Sequence, residues 1–165
     1  MKRFLSKLCL FGIIVLVLFT GLILSSEYLI NHRKDHLLLL NKDIEYVFAG
    51  NSAVECAVND RLVEHSINIA ESGEAYLYSY AKLKAVIETN QQISTVFIGY
   101  SFADILLEKE ESWVFSDEFI IEKVQHYNYL LGPQDRMLLF SKNPGAYARG
   151  LVKSVVNNLS TALRA

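Results

Sequence analysis

A short polar triplet, Gly50-Asn51-Ser52, ends a mostly apolar run, Ile44–Ala49, that predicts a buried strand. In open α/β sheets, ligands bind at the carboxyl ends of the strands. A serine in that place, at the start of a helix, can offer its hydroxyl as a nucleophile and its amide as a donor to negative charge. A Gly-Asn turn followed by a serine helix cap explains the same residues without chemistry. The triplet alone leaves both interpretations open.

Helical patterns separate this strand from two others. Ser66–Ala70 alternates between polar and apolar residues and Ile93–Tyr100 is largely apolar, so both segments predict strands. Ala53–Val63 predicts the helix between the first two strands. The helix before the third strand has an apolar face and a charged outer face, formed by Tyr76, Tyr80, Leu83 and Ile87 and by Lys82, Lys84 and Glu88. This alternation predicts an α/β domain with a parallel sheet of three or more strands, flanked by helices.

Two further helices are predicted beyond the sheet. Asp117–Leu131 is amphipathic and ends at Gly132-Pro133, and Ala146–Leu163 forms the last helix. Trp113 precedes them and has two interpretations. It is either an anchor in the core or an exposed ring on which a sugar can stack.

Three polar blocks follow the three predicted strands and therefore meet at one edge of a parallel sheet: Gly50-Asn51-Ser52, Asn68 to Gly73, and Gly99-Tyr100-Ser101. With these blocks, the chain resembles the SGNH (GDSL-like) hydrolase superfamily over about residues 43–101. More narrowly, it is similar to membrane-anchored SGNH-like proteins of bacterial envelopes, whose relatives add or remove O-acetyl groups on extracellular polysaccharides. The resemblance implies a flavodoxin- or SGNH-like fold without a cofactor. It implies an envelope polysaccharide or an acyl donor as the partner.

The resemblance also implies a role for each residue at this edge. Ser52 matches the nucleophile, and the oxyanion hole is expected from Ser52, Gly73 and Ser101. Ser101 stands where the family has Asn, and Asn51 stands where it has Asp. The remaining matched positions support the site: Gly50, Asn51, Asn68 and Gly99.

The general base of the family, in an Asp-x-x-His block, has no counterpart in this sequence. A serine hydroxyl is a poor nucleophile until a positioned base removes its proton. His126, one helical turn after Glu122, is one candidate for the base, and an ordinary surface pair is the other interpretation. His65, beside Glu64, is expected at the opposite edge of the sheet.

These observations leave three functions in competition. The first is a serine esterase or O-acetyltransferase that acts on envelope polysaccharides through Ser52. The second is a non-catalytic α/β module for binding or assembly. The third is that the chain is the N-terminal part of a longer enzyme whose missing strands and base lie downstream.

The N-terminal segment predicts a membrane anchor. Leu8–Leu24 contains no charge, and with Phe4 and Leu5 it is long enough to cross a bilayer core. Basic residues precede it and Glu27 follows it, which predicts a single-pass protein of the inner membrane with its domain outside the cytoplasm. A cleaved signal peptide is the alternative. The predicted organisation is an anchor over 1–26, a juxtamembrane stalk over 27–42 and an incomplete α/β domain over 43–165.

Composition limits the other partners. The net charge is −2 and no basic tract is present, which argues against nucleic acid. His32 and His36 have the spacing of a metal-binding helix face but no third ligand nearby, so they predict a solvated stalk and no metal site. Cys56 is the only cysteine outside the anchor and is expected to be buried on the first helix of the domain.

Overall fold

The sheet is parallel and lies between helices that precede and follow it. The computed structural model describes residues 2–99 and 113–164 of the chain. In chain order, the described elements are α1 (Lys2–Leu38), β1 (Tyr46–Ala49), α2 (Ser52–Ala57), a 3₁₀ turn (Asp60–Leu62), β2 (Ser66–Asn68), α3 (Tyr76–Thr89), β3 (Thr95–Ile98), α4 (Asp117–Tyr127), α5 (Pro133–Lys142) and α6 (Pro144–Arg164).

The strand order is β2-β1-β3, with both pairings parallel. Tyr46 is paired with Ser66 on one side and with Thr95 on the other, so the three strands start and end at similar levels. The central strand buries Val47 and Ala49 almost completely. The predicted α/β class, with a three-stranded parallel sheet flanked by helices and preceded by one long apolar helix, is confirmed.

Two cores hold the domain together, and α3 contributes to both. The smaller core lies against the sheet and contains Val47, Ala49 and Leu83 of α3. The larger core is helical, and Tyr78 of α3 packs there against Phe119 and Tyr127 of α4 with ring centroids 5.7 and 5.6 Å apart. Helix α3 therefore connects the sheet to the helical half of the molecule.

This double packing explains an error in the predicted face of α3. Tyr80 and Ile87, expected inside, are exposed by 62% and 41%. The buried positions are instead Tyr78, Ser79, Ala81, Leu83, Ala85 and Val86. A helix that packs on two sides buries a broad face with small residues in it, and the spacing of the large residues does not reveal such a face.

Some helices begin or end at residues other than those predicted, and local hydrogen bonds give one reason. The helix predicted over Ala53–Val63 ends at Ala57, where the Asn68 side chain donates to the carbonyls of Val54 and Val58. The prediction that Cys56 is buried is wrong, because this short helix exposes it. The helix expected over Asp117–Leu131 ends at Tyr127, and Gly132-Pro133 begins another helix, α5. Proline favours the first helical position because its missing N–H needs no partner there.

Helix α1 is continuous from Lys2 to Leu38 and is long and apolar enough to span a membrane. The segment predicted as a juxtamembrane stalk therefore continues this helix and packs against the domain. Ser26 and Ile30 are each only 1% exposed, whereas His32 and His36 face solvent.

A polar clamp holds the outer part of α1 against the helical half. The Arg136 guanidinium donates to both carboxylate oxygens of Glu27, at 2.9 and 3.0 Å, and to the backbone carbonyls of Asn128 and Leu131. The Asn128 side chain also donates to Glu27. A second attachment is made by Asn90, which accepts from the Leu40 amide at 2.7 Å and donates to the Leu38 carbonyl at 2.8 Å.

We expect Arg136→Ala to lower the free energy of unfolding by about 2 kcal/mol, because it leaves the half-buried Glu27 carboxylate without its cation. The matched control is Arg149→Ala, which removes an exposed pair with Asp117 and is expected to change stability little. Thermal and denaturant unfolding of the full chain in detergent micelles measures both. Equal losses in the two variants would contradict the proposed importance of the clamp.

Candidate functional site at the carboxyl edge of the sheet

The Gly50-Asn51-Ser52 triplet forms the connection from β1 to α2. Gly50 has a φ of +149°, a value that favours glycine. Asn51 caps α2, and its side-chain oxygen accepts from the Ala53 amide at 3.0 Å. Ser52 is the first residue of α2 and its side chain is exposed. The helix cap is therefore Asn51, and the Ser52 hydroxyl is left open to solvent.

Two of the matched glycines allow α2 to pack closely on the strand ends. A Cβ atom at Gly50 would lie 2.7 Å from Cγ2 of Val54, and one at Gly99 would lie 1.9 Å from the same atom. The Gly99 amide also donates to the Ala49 carbonyl at 3.0 Å. Gly50 and Gly99 thus make room for Val54, which is a packing reason for glycine at both positions.

Asn68 positions the same short helix from the neighbouring strand. Its side-chain nitrogen donates to Val54 and Val58 at 3.2 and 2.9 Å, while its oxygen accepts from the Ala70 amide at 3.0 Å. These three hydrogen bonds use the side chain within the scaffold. Asn68 is therefore a positioning residue for α2 and for the loop that follows β2.

The loop that carries Gly73 is tied to β1 and to α2. The Glu71 amide donates to the Gly50 carbonyl at 3.2 Å, and the Ser72 hydroxyl donates to the Glu55 carboxylate of α2. Gly73 itself has a φ of +68°, in the left-handed region. The structure thus brings the elements carrying Gly50, Ser52 and Gly73 to one edge of the sheet.

The candidate bases lie elsewhere. His65 precedes β2 at the amino edge of the sheet, where its Nδ1 lies 2.9 Å from the Asp43 carbonyl oxygen. His126 and Glu122 are exposed on α4. Among residues 2–99 and 113–164, no histidine or carboxylate is hydrogen-bonded to the Ser52 hydroxyl. Ser101 lies outside the described residues, so its place in the oxyanion hole stays a prediction.

A cleft of about 310 Å³ opens beside the Gly73 loop. Its lining combines an aromatic surface with polar groups and includes Ser72, Gly73, Trp113, Phe119, Glu122 and Lys123. The Trp113 ring packs on Phe119 at a centroid distance of 4.3 Å and is still 45% exposed. Trp113 is therefore anchored on one side and open to a ligand on the other.

Behind this cleft lies a charge network that the sequence did not predict. The Glu74 carboxylate has no exposed area and accepts from Lys82 at 2.7 Å and from Ser79 at 2.7 Å. The Tyr127 hydroxyl lies 2.6 Å from oxygens of both Glu71 and Glu74, so its single proton serves two carboxylates. Lys123, whose side chain is only 3% exposed, lies 3.6 Å from Glu71. Lys123 also lies 3.5 Å from the exposed Glu122, so two ammonium groups are paired with three carboxylates.

The network changes how its members titrate. Burial alone would raise the pKa of Glu71, but the Tyr127 hydrogen bond and the charges of Lys82 and Lys123 lower it below the ordinary value. Burial and the two carboxylates raise the pKa of Tyr127 far above its usual value, which keeps its hydroxyl protonated as a donor. Glu71, next in sequence to Ser72 of the cleft lining, is therefore held as an anion.

The described part of the chain offers no set of side chains that could bind a metal ion. No group of three or more His, Cys, Asp or Glu side chains there is arranged to hold an ion. His32 and His36 lie on the exposed side of α1.

Comparisons of the chain with protein-family models, curated proteins and solved structures found no match. The resemblance to SGNH hydrolases consequently depends on the matched residues alone, of which Gly50, Asn68 and Gly99 have structural roles in this fold.

We expect Tyr127→Phe to raise the pKa of Glu71, because it removes the hydroxyl that stabilises the carboxylate. In the wild type this pKa lies below the ordinary 4.5, so the stabilisation is present above pH 4.5 and is lost as the pH falls through the folded value. Carboxyl-carbon NMR of Glu71 across an acid titration measures the shift. An unchanged titration in Tyr127→Phe would contradict the hydrogen bond, and Tyr129→Phe serves as the control.

Proposed function

We propose that the chain is a membrane-anchored, SGNH-like protein of the bacterial envelope whose α/β domain binds an O-acylated polysaccharide. The observation that carries the proposal is the cleft in which Gly73 and the half-exposed Trp113 lie together. In this proposal the domain sits outside the cytoplasm on a single-pass anchor of the inner membrane. By itself, the chain has weak esterase activity or none.

The packing of α1 supports an uncleaved anchor. A mature form beginning near Glu27 would require cleavage beside Ser26, which is 1% exposed in the middle of a continuous helix. It would also separate the apolar run from Glu27 and Ile30, which are held by the domain. A helix that is both the membrane segment and part of the folded core favours retention of the anchor.

The chemistry of the cleft supports a carbohydrate ligand. Sugars present apolar ring faces together with hydroxyl groups, and an aromatic ring surrounded by polar donors and acceptors suits both. Trp113 supplies the ring, while Glu122, Ser72 and Ser116 supply hydrogen-bonding groups. The left-handed turn at Gly73 brings backbone next to the same cleft, where an acyl oxygen could accept from an amide.

The surroundings of Ser52 support binding without efficient hydrolysis. General base catalysis contributes about 10²–10⁴-fold, and the described residues bring no base to this hydroxyl. A second candidate, a serine esterase with His126 as its base, is favoured by one observation. His126 follows Glu122 by one turn on α4, and Glu122 lines the cleft that contains Gly73.

Binding is expected to change the fluorescence of Trp113, because this is the only tryptophan of the chain and it lines the cleft. We expect O-acetylated oligosaccharides prepared from a bacterial envelope polysaccharide to shift its emission in a saturable titration, and the same oligosaccharides without acetyl groups to bind more weakly. Glu122→Ala should weaken the binding, whereas the control Glu64→Ala should leave it unchanged. A spectrum that does not respond to either oligosaccharide would contradict a glycan site at this cleft.

The full chain in detergent micelles should hydrolyse aryl acetates no faster than its Ser52→Ala variant, because the residues that the structure describes bring no activating base to the Ser52 hydroxyl. Release of the aryl alcohol measures both proteins. Turnover at ordinary enzyme rates that Ser52→Ala abolishes would overturn the non-catalytic proposal. In that case the His126→Ala variant tests the second candidate function. If His126 is the base, its rate of aryl acetate hydrolysis should fall by about 10²–10⁴-fold.

A further inference from the structure

Helix α5 exposes a cluster of large apolar side chains that the core does not use. Met137 is 70% exposed, Phe140 is 54% exposed and Leu138 is 40% exposed. We call these three residues the α5 patch. The same helix buries Leu139 completely, so its sequence provides one side chain for the core and three for a surface outside it.

The clamp fixes the distance of this patch from the end of the membrane segment. The uncharged run ends at Leu24, and Glu27 follows three residues later, about 4.5 Å further along the helix axis. The polar zone on each side of the hydrocarbon core is about 5–8 Å thick. Glu27 thus lies at the level of the lipid headgroups when α1 spans a bilayer. Arg136, bonded to Glu27 at 2.9 Å, directly precedes Met137.

Exposed aromatic residues mark the same level. Tyr28 follows Glu27 on α1 and is 72% exposed. Tyr and Trp side chains are enriched at the boundary between headgroups and acyl chains, where an apolar ring can have its polar edge in water. Phe140 brings a second exposed ring from α5. Tyr28 directly follows Glu27 and Phe140 follows Arg136 by four residues, so each exposed ring lies within about one helical turn of the Glu27–Arg136 pair.

We propose that the α5 patch lies against the lipid surface from which α1 emerges, as an interfacial contact beside the membrane-spanning helix. The proposal rests on α1 being a retained anchor and goes beyond the function proposed above. Lipid is favoured as the occupant because the clamp keeps the patch within reach of the bilayer at all times. A linked contact of this kind forms at a high effective concentration and needs little affinity of its own.

Nitroxide labels on the full chain, reconstituted in vesicles of phosphatidylethanolamine and phosphatidylglycerol, test this contact. The labels are placed at Met137→Cys and Phe140→Cys in a background of Cys9→Ala and Cys56→Ser. The matched control is Leu62→Cys, on the 3₁₀ turn, where the native side chain is 82% exposed. Leu16→Cys, inside the apolar run, reports on the anchor itself. The measurement is the accessibility of each label to oxygen, which concentrates in lipid, and to a water-soluble nickel complex.

We expect the oxygen-to-nickel ratio at positions 137 and 140 to exceed that at position 62 several-fold, with position 16 highest. Ratios at 137 and 140 equal to that at 62, with a high ratio at 16, would overturn the lipid contact and leave the anchor intact. Low accessibility to both reagents together with spin–spin broadening would overturn it in favour of a second copy of the chain. A low ratio at 16 would overturn the anchor and the contact together.

Discussion

The buried charge network around Tyr127 is the interaction on which the arrangement of this domain depends. It joins three pieces of the structure, namely the loop after β2, helix α3 and helix α4, of which the two helices also pack together in the larger core. Glu71 and Glu74 come from the loop, Lys82 comes from α3, and Tyr127 and Lys123 come from α4. Burying the charges of Glu74, Lys82 and Lys123 costs several kcal/mol per ion, and their pairing with one another and with the half-exposed Glu71 offsets that cost. What the network provides is a defined geometry for the loop that carries Gly73.

A three-stranded sheet with short strands needs such support. Its own core is small, and Phe97 and Ile98 of β3 remain about half exposed. The packing of Tyr78 between Phe119 and Tyr127 connects the sheet side to the larger helical core. Local packing then sets the edge itself, because Val54 fits between Gly50 and Gly99 and Asn68 terminates α2. Glycine packing thus positions the β1–α2 connection of the candidate site, and charge pairing positions the loop that carries Gly73.

The sequence predicted the parallel sheet because alternating strands and helices restrict the topology to very few solutions. It predicted the glycines and Asn68 as members of one edge, although the structure gives them packing and capping roles. It could not predict the charge network, since Lys82 and Lys123 on amphipathic helices are typical of solvated faces. The sequence did not predict α5, because Gly132-Pro133 can mark the end of one helix as well as the start of the next. The exposure of Cys56 followed from the early end of α2, which depends on Asn68 from a different strand.

Two consecutive residues at the end of α4 connect the candidate site with the proposed membrane anchor. Tyr127 bonds to Glu71 and Glu74 in the loop beside the cleft, and Asn128 bonds to Glu27 of α1. Asn128 also accepts from Tyr147 of α6 through its side-chain oxygen. Because both contacts originate from one rigid helical end, the cleft cannot rotate freely about α1 as it would on a flexible stalk. A retained anchor would therefore present this cleft at a fixed height and orientation above the bilayer, which suits a ligand that is itself attached to the envelope.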